Sequence, residues 1–250
     1  MAEPLTSLHI TRVAETGSTS DLALEAARSG AAEGSAFRAD IQTKGRGRHG
    51  REWVSPKGNL YVSVLLRPER PTHEWPGLSL VAGLALHDVL SRFRGRERAR
   101  LKWPNDVLLD DRKVAGLLLE AHDDAVILGC GVNCITAPDQ TSGWLPGCLN
   151  QQTDETFVDA DAVMEALAVS LCHRYNVWHG NGFAPMVGDW IDAAAHIGTV
   201  IETRQSNGET VCGIFETLSD DGGMMLRCDD GTLREMTAGE VLRARPEGNG

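Results

Sequence analysis

The sequence has no apolar run of membrane-spanning length. Its longest stretches, Leu78 to Leu86 and Ala125 to Val132, fall short of the about 20 residues a span requires, and glycines interrupt both. No membrane helix is expected. Met1 to Leu8 carries neither the basic region nor the apolar stretch of a secretory signal, so the expected location is the cytoplasm. The cysteines at 130, 134, 148, 172, 212 and 228 lack both the paired spacing of a zinc site and the density of a disulfide scaffold. They read as reduced, mostly buried thiols, and Cys130 and Cys134, in an apolar stretch, as small core side chains. Net positive charge is missing too. A formal charge of −11 argues against broad nucleic-acid binding, which is built from clustered Lys and Arg. There is no internal repeat and no low-complexity segment.

What is present is a chain of 250 residues, 42% hydrophobic, enough for one or two domains with a sizeable core. Thr19 to Arg28 reads as a helix with Ser18 and Thr19 as candidate caps and Gly30 beyond its end. Residues 35 to 43 and 59 to 66 read as strands. Leu78 to Phe93 has the apolar density of a buried helix, and the alternating arginines from Arg92 to Arg100 read as its solvated end and a linker. Val107 to Leu109 and Val114 to Leu119 flank the polar turn Asp110-Asp111-Arg112-Lys113 and predict a hairpin. A strand over 125 to 132 and helices over 159 to 178 and 183 to 193 follow. From Gly198 the pattern changes to short β runs (199 to 204, 210 to 218, 224 to 228, 232 to 236, 240 to 243), separated by Asn207-Gly208, Asp221-Gly222-Gly223 and Asp230-Gly231. Those turns predict a small barrel-like β domain, and the tail 246 to 250 is expected to fray.

Positive charge collects in one place. Lys44, Arg46, Arg48 and Arg51 fall within eight residues among three glycines. Glycines let backbone approach a ligand and guanidiniums fork onto phosphate or carboxylate oxygens, so the segment suits an anion; an exposed turn with incidental charge is the alternative. Lys102-Trp103-Pro104-Asn105-Asp106 reads locally as a packed corner or as part of a site. Lys113 is by default a surface hairpin lysine, although Gly116 leaves room over the backbone beside it. Gly129 and Gly131 weaken a strand unless a ligand ring must approach or a bulge forms, and both readings stay open.

In order and spacing, these segments resemble the biotin protein ligases. The likeness runs through Ser18-Thr19-Ser20, Gln42, the run Gly45 to Arg51, Trp53, Lys102 to Asp106, Lys113-Val114-Ala115-Gly116 and Gly129 to Asn133, then more loosely through Gly182 to Pro185 and Trp190. The resemblance implies an α+β fold: a mixed-sheet catalytic domain related to class II aminoacyl-tRNA synthetases over residues 1 to 195, then a small SH3-like β-barrel over 196 to 250. It implies an ATP-dependent ligase that forms biotinyl-5′-AMP and passes biotin to a lysine of a biotin carboxyl carrier protein or domain, with Mg2+ accompanying the ATP.

By that likeness Lys113 and Arg48 are the catalytic cations. Ser18, Thr19, Ser20, Gln42, Gly45, Arg46, Gly47, Trp53, Lys102, Asn105, Asp106, Gly116, Gly131 and Asn133 complete the site for biotin and biotinyl-AMP. No metal ligand is assigned. Ser20 stands where the family usually has asparagine. With seventeen residues before Ser18, the chain is expected to lack the DNA-binding module of some relatives and to act as a monomer or homodimer.

Overall fold

The computed structural model describes residues 3–139, 144–151, 156–204 and 208–245. The elements of its larger part are β1 (His9–Thr16), α1 (Thr19–Arg28), β2 (Ser35–Gln42), β3 (Leu60–Leu66), α2 (Leu78–Arg94), β4 (Ala99–Lys102), β5 (Asp106–Leu109), β6 (Arg112–His122), β7 (Ala125–Val132), α3 (Ala160–Asn181) and α4 (Val187–Ala193). The strands form one seven-stranded sheet in the order β1-β2-β3-β7-β6-β5-β4. Only the β1–β2 pair is parallel; the other neighbours are antiparallel, which makes this the expected mixed sheet.

Period-two alternation divides the central strands between two environments. Leu60, Val62, Val64 and Leu66 of β3 and Val126, Leu128, Cys130 and Val132 of β7 face the main core, which also holds the inner faces of α2 and α3. On the other face Leu65 and Ile127 pack with Ala23 of α1 in a small second cluster. One short helix covers only part of that face. The rest, carrying Ser63, Gly129 and Gly131, is left as the floor of a cavity.

Helix ends follow their local chemistry. Ser18 caps α1 by accepting from the Ser20 N–H, and Asp159 caps α3 by accepting from the Ala162 N–H at 2.8 Å. Helix α2 stops at Gly95, whose φ of 94° an L side chain rarely adopts. The segment after it is not the solvated linker expected. Arg94 is buried and donates to the carbonyls of Leu149 and Thr156 and to Asn150 Oδ1, while Ala99–Lys102 forms the edge strand β4. An arginine can be buried when its fork finds this many oxygens, which alternation of charge alone does not reveal.

The remaining strands, β8 (Val200–Arg204), β9 (Thr210–Leu218), β10 (Met224–Arg227), β11 (Leu233–Met236) and β12 (Glu240–Arg245), form an antiparallel sheet in the order β11-β10-β9-β8-β12. The expected turn at 207–208 lies partly, and the tail 246–250 wholly, outside the described residues. Trp190 of α4 packs at a tilt against Phe215 of β9, and the Trp103 indole donates to the Gly222 carbonyl at 3.1 Å. Both sheets therefore contribute to one continuous core. Among the described residues no helix is long and apolar enough to cross a membrane.

Candidate active site

The cavity, of about 220 Å³, opens over the floor left by α1 and is walled by the segment between β2 and β3. Of the residues expected in the site, all but Gly45 line it. Gly45 lies behind the wall: a Cβ there would sit 2.3 Å from the Trp53 carbonyl oxygen and 2.6 Å from Ser55 Oγ, so only glycine fits. It lets the wall close on itself.

That wall is a narrow antiparallel loop. Trp53 N–H donates to the Gly45 carbonyl at 2.9 Å and Gly47 N–H to that of Arg51 at 2.7 Å, with a turn of 3-10 helix over Arg48–Gly50 at the tip. The loop lays the Trp53 ring flat on the floor. Cβ atoms at Gly131 and Gly116 would lie 2.6 and 2.9 Å from that ring. Strand β7 keeps unbroken register with both β3 and β6 through Gly129 and Gly131, so the glycines mark a close approach and not a bulge. Among the described residues the buried Trp53 indole N–H has no partner.

Each arginine of the loop finds an oxygen. Arg46 pairs with Asp21 at 2.8 Å and Glu120 at 3.6 Å, Arg48 donates to Asn105 Oδ1 at 3.1 Å, and Arg51 meets Glu240 of β12 at 2.6 Å. Asn105 is held in turn by its donation to the Leu117 carbonyl at 2.7 Å. Burial lowers the pKa of Arg48, and the charges of Asp106 and Glu240 partly offset it. An arginine remains cationic through such a shift.

Opposite the loop, Asp106 sits between two lysines. Its oxygens lie 2.8 Å from Lys102 Nζ and 2.6 Å from Lys113 Nζ. Burial works against the charge on Asp106, yet the two ammonium groups overcome it and hold the carboxyl well below the usual carboxylate range. One anion between two cations leaves the triad with an excess positive charge. Each lysine also faces an indole: Lys113 Nζ is 5.4 Å from the Trp53 ring centre, and Lys102 Nζ is 5.3 Å from that of Trp144. Hydrogen bonds between the Lys113 backbone and Leu145 and Gly147 fix where β6 begins.

Asn133 lines the cavity but works as an anchor. Its side-chain amide donates to the Gly147 carbonyl at 3.0 Å and its backbone carbonyl accepts from Leu149 N–H at 2.8 Å, securing the segment that bears Trp144. At the inner end Thr19, Ser20 and Gln42 are joined by Ser63, a lining residue that sequence reasoning missed. A lone serine in the apolar run Leu60–Leu66 was the available signal. Trp144 and Glu240, also lining, gave none beyond their residue type.

Cys130, Cys134, Cys148 and Cys172 are free thiols, buried as expected. Burial pushes the thiols of Cys130 and Cys134 up to about 12, so Cys130, although it lines the cavity, is no nucleophile near neutral pH. Among the described residues no cluster of three His, Cys, Asp or Glu could hold a metal ion.

Residues 14–133 match the family described as Biotin/lipoate A/B protein ligase family, and residues 196–243 match the Biotin protein ligase C terminal domain. The biotin--[acetyl-CoA-carboxylase] ligase of Paracoccus denitrificans is 40% identical over 195 residues, covering 74% of this chain and 81% of the relative. That of Mycobacterium tuberculosis is 33% identical over 238 residues, covering 93% and 88%. The structure of a biotin protein ligase from Aquifex aeolicus in complex with biotin and ATP superposes with a TM-score of 0.81 at 27% identity, covering 96% of this chain and 99% of that one.

Proposed function

The chain belongs to the biotin protein ligases of the biotin/lipoate A/B protein ligase family, and from that premise we infer how its cavity carries out the reaction. It is an ATP-dependent ligase that activates biotin as biotinyl-5′-AMP and transfers it to a carboxylase biotin carrier. In the first step an oxygen of the biotin carboxylate attacks the α-phosphorus of ATP, and the bond to the leaving pyrophosphate breaks. In the second, a carrier lysine attacks the acyl carbon of the mixed anhydride, an amide forms, and AMP leaves.

The observation that carries the residue assignment is the Lys102–Asp106–Lys113 triad facing the arginine loop across one cavity. Both reactants of the first step are anions, so the barrier is largely their repulsion, and fixed cations aimed at the meeting point lower it without reorganising. Lys113 is the cation assigned to the reacting carboxylate and α-phosphate. Asp106 holds it there while leaving net positive charge. Arg48 and Arg46 close over the phosphate; their present partners are a neutral amide and half-exposed carboxylates, which an incoming phosphate can displace.

Trp53, seated on the floor cleared by Gly116 and Gly131, presents its open face to the ring of the ligand, and its unpartnered N–H awaits an acceptor. Ser18, Thr19, Ser20 and Gln42 take the inner end. Lys102, Asn105 and Asn133 act from behind, by holding Asp106, Arg48 and the Trp144 segment respectively. Magnesium belongs to this scheme as MgATP, arriving with the phosphates of the nucleotide.

The formal charge of −11 supports a carrier protein over nucleic acid as the macromolecular partner, and the free cysteines fit a reducing cytoplasm. The proposed division of labour places the chemistry in residues 1 to 195, with 196 to 250 buttressing the loop through Glu240. Pyrophosphate release from MgATP, measured with biotin and with lipoate, tests the reading. Release with biotin is expected, and release with lipoate alone would overturn it.

A further inference from the structure

The hydroxyl groups at the inner end of the cavity are connected in one direction, and backbone groups fix that direction at two points. The Trp53 carbonyl only accepts, so Ser55 must donate to it, at 2.8 Å. Ser55 Oγ is then free to accept from Gln42 Nε2 at 3.0 Å. This turns Gln42 Oε1 toward Thr19, where a backbone N–H that can only donate meets it at 2.8 Å.

The rest follows from each hydroxyl having one hydrogen. Thr19 Oγ1 lies 3.0 Å from Gln42 Oε1 and donates to it. Ser63 Oγ, 2.8 Å from Thr19 Oγ1, must therefore donate to Thr19. Ser20 Oγ, 3.1 Å from Ser63 Oγ, must donate to Ser63. Every hydrogen of Ser20, Ser63 and Thr19 is spent inside the protein. What Thr19 and Ser20 retain toward the cavity is lone pairs.

We propose that Ser63 is a positioning residue for ligand selection: it relays the hydroxyl order from Thr19 to Ser20, so that these hydroxyls meet a ligand as acceptors, while the Ser18 hydroxyl and the second Gln42 Nε2 hydrogen, which the relay does not spend, are left as donors for a ligand carbonyl. The relay selects a ligand that brings N–H donors, as the ureido ring of biotin does, over an acyl chain that brings none. An N–H-free ligand would bury these oxygens without partners, the expensive case for a polar group. Ser20 contributes to this one-way character. The asparagine usual in the family would bring two N–H hydrogens and could direct one at the ligand, whereas Ser20 has a single hydrogen and spends it on Ser63. Ser63 itself is fully buried and hydrogen-bonded on both sides, which is what a relay requires.

The inference rests on the biotin-ligase reading, and one assay separates the two. Biotin-dependent exchange of pyrophosphate into ATP is measured for the wild type, Ser63→Ala and Ser20→Ala, with biotin and with an analogue methylated on both ureido nitrogens. Ser63→Ala removes the acceptor of the Ser20 hydrogen, which is then free to point at the ligand. Its KM for biotin is expected to rise about tenfold, the scale of one hydrogen bond, with kcat and the KM for ATP within about twofold.

Affinity for the methylated analogue should change less than about twofold, so discrimination falls by nearly the whole tenfold. Ser20→Ala removes an acceptor together with its hydrogen, leaving no misdirected donor, and should raise the biotin KM less than Ser63→Ala does. Equal weakening of both ligands by Ser63→Ala would mean a packing role and overturn the relay, as would no change in either. Should Ser63→Ala fold poorly, Ser63→Cys, with its weak thiol donor, must show the same split. A wild type without biotin-dependent exchange would instead remove the ligase reading itself.

Discussion

Replacing Asp106 by asparagine keeps the shape of the side chain and removes its charge. In the native protein that charge lies 2.8 Å from Lys102 Nζ and 2.6 Å from Lys113 Nζ, and the side chains of Asp106 and Lys102 are only 7% and 6% exposed. Taking one partner out of a buried ion pair costs about 3–5 kcal/mol, because the remaining charge stays buried without compensation. Lys113 is 30% exposed, so water screens its share, and the lower end, about 3 kcal/mol, is the expected loss. Urea unfolding followed by tryptophan fluorescence measures it as a lower transition midpoint.

The pH dependence adds a second check. The folded-state pKa of Asp106 is depressed, so its stabilising effect is complete above the unfolded value of about 3.9 and disappears as pH falls through the folded value. The gap between wild type and Asp106→Asn should hold constant from about pH 8 to pH 5 and begin to narrow below about pH 4. Adenylate formation should slow in parallel, since Lys113 loses the group that aims it. A variant as stable as the wild type at pH 7, or a gap that persists undiminished in acid, would refute this reasoning.

Two further substitutions separate charge from shape. Lys113→Ala should cut the rate of biotinyl-AMP formation by about 10²–10³-fold, the effect of losing one fixed transition-state donor, while biotin affinity by calorimetry stays within about threefold. Gly131→Ala puts a methyl group 2.6 Å from the Trp53 ring and must displace it. The KM for biotin should then rise at least about tenfold with the far-UV circular dichroism unchanged, the cost of a mispositioned contact.

Local signals carried much of the fold. Ser18 and Gly30 bracket α1, Asp110 and Asp111 turn the hairpin that delivers Lys113, and the Asp-Gly steps separate the late strands. Strand β1 was not visible, because His9–Thr16 is largely exposed and lacks a clean alternation. The site was legible as segments, and the resemblance grouped them. What could not be read was direction and partnership: that Asp106 serves two lysines, that Asn133 anchors a backbone segment, that Glu240 reaches Arg51 from the second sheet, and that Gly45 is packing space. The Arg51–Glu240 pair joins distant parts of the chain, and the others, although close in sequence, depend on how the intervening turns close, which residue type alone does not announce. The paired glycines of β7 are the intermediate case: their spacing announced a close approach or a bulge, and only strand register on both sides decided between them.

The most direct test of the account is transfer itself. The purified protein is incubated with MgATP, biotin and a biotin carrier domain, and the carrier is followed by intact-mass and peptide mass spectrometry. The account predicts one biotinyl group on one carrier lysine, dependent on ATP and biotin and lost in Lys113→Ala. An unmodified carrier alongside fully active, biotin-dependent pyrophosphate release would contradict the transfer step, and absence of both would contradict the account as a whole.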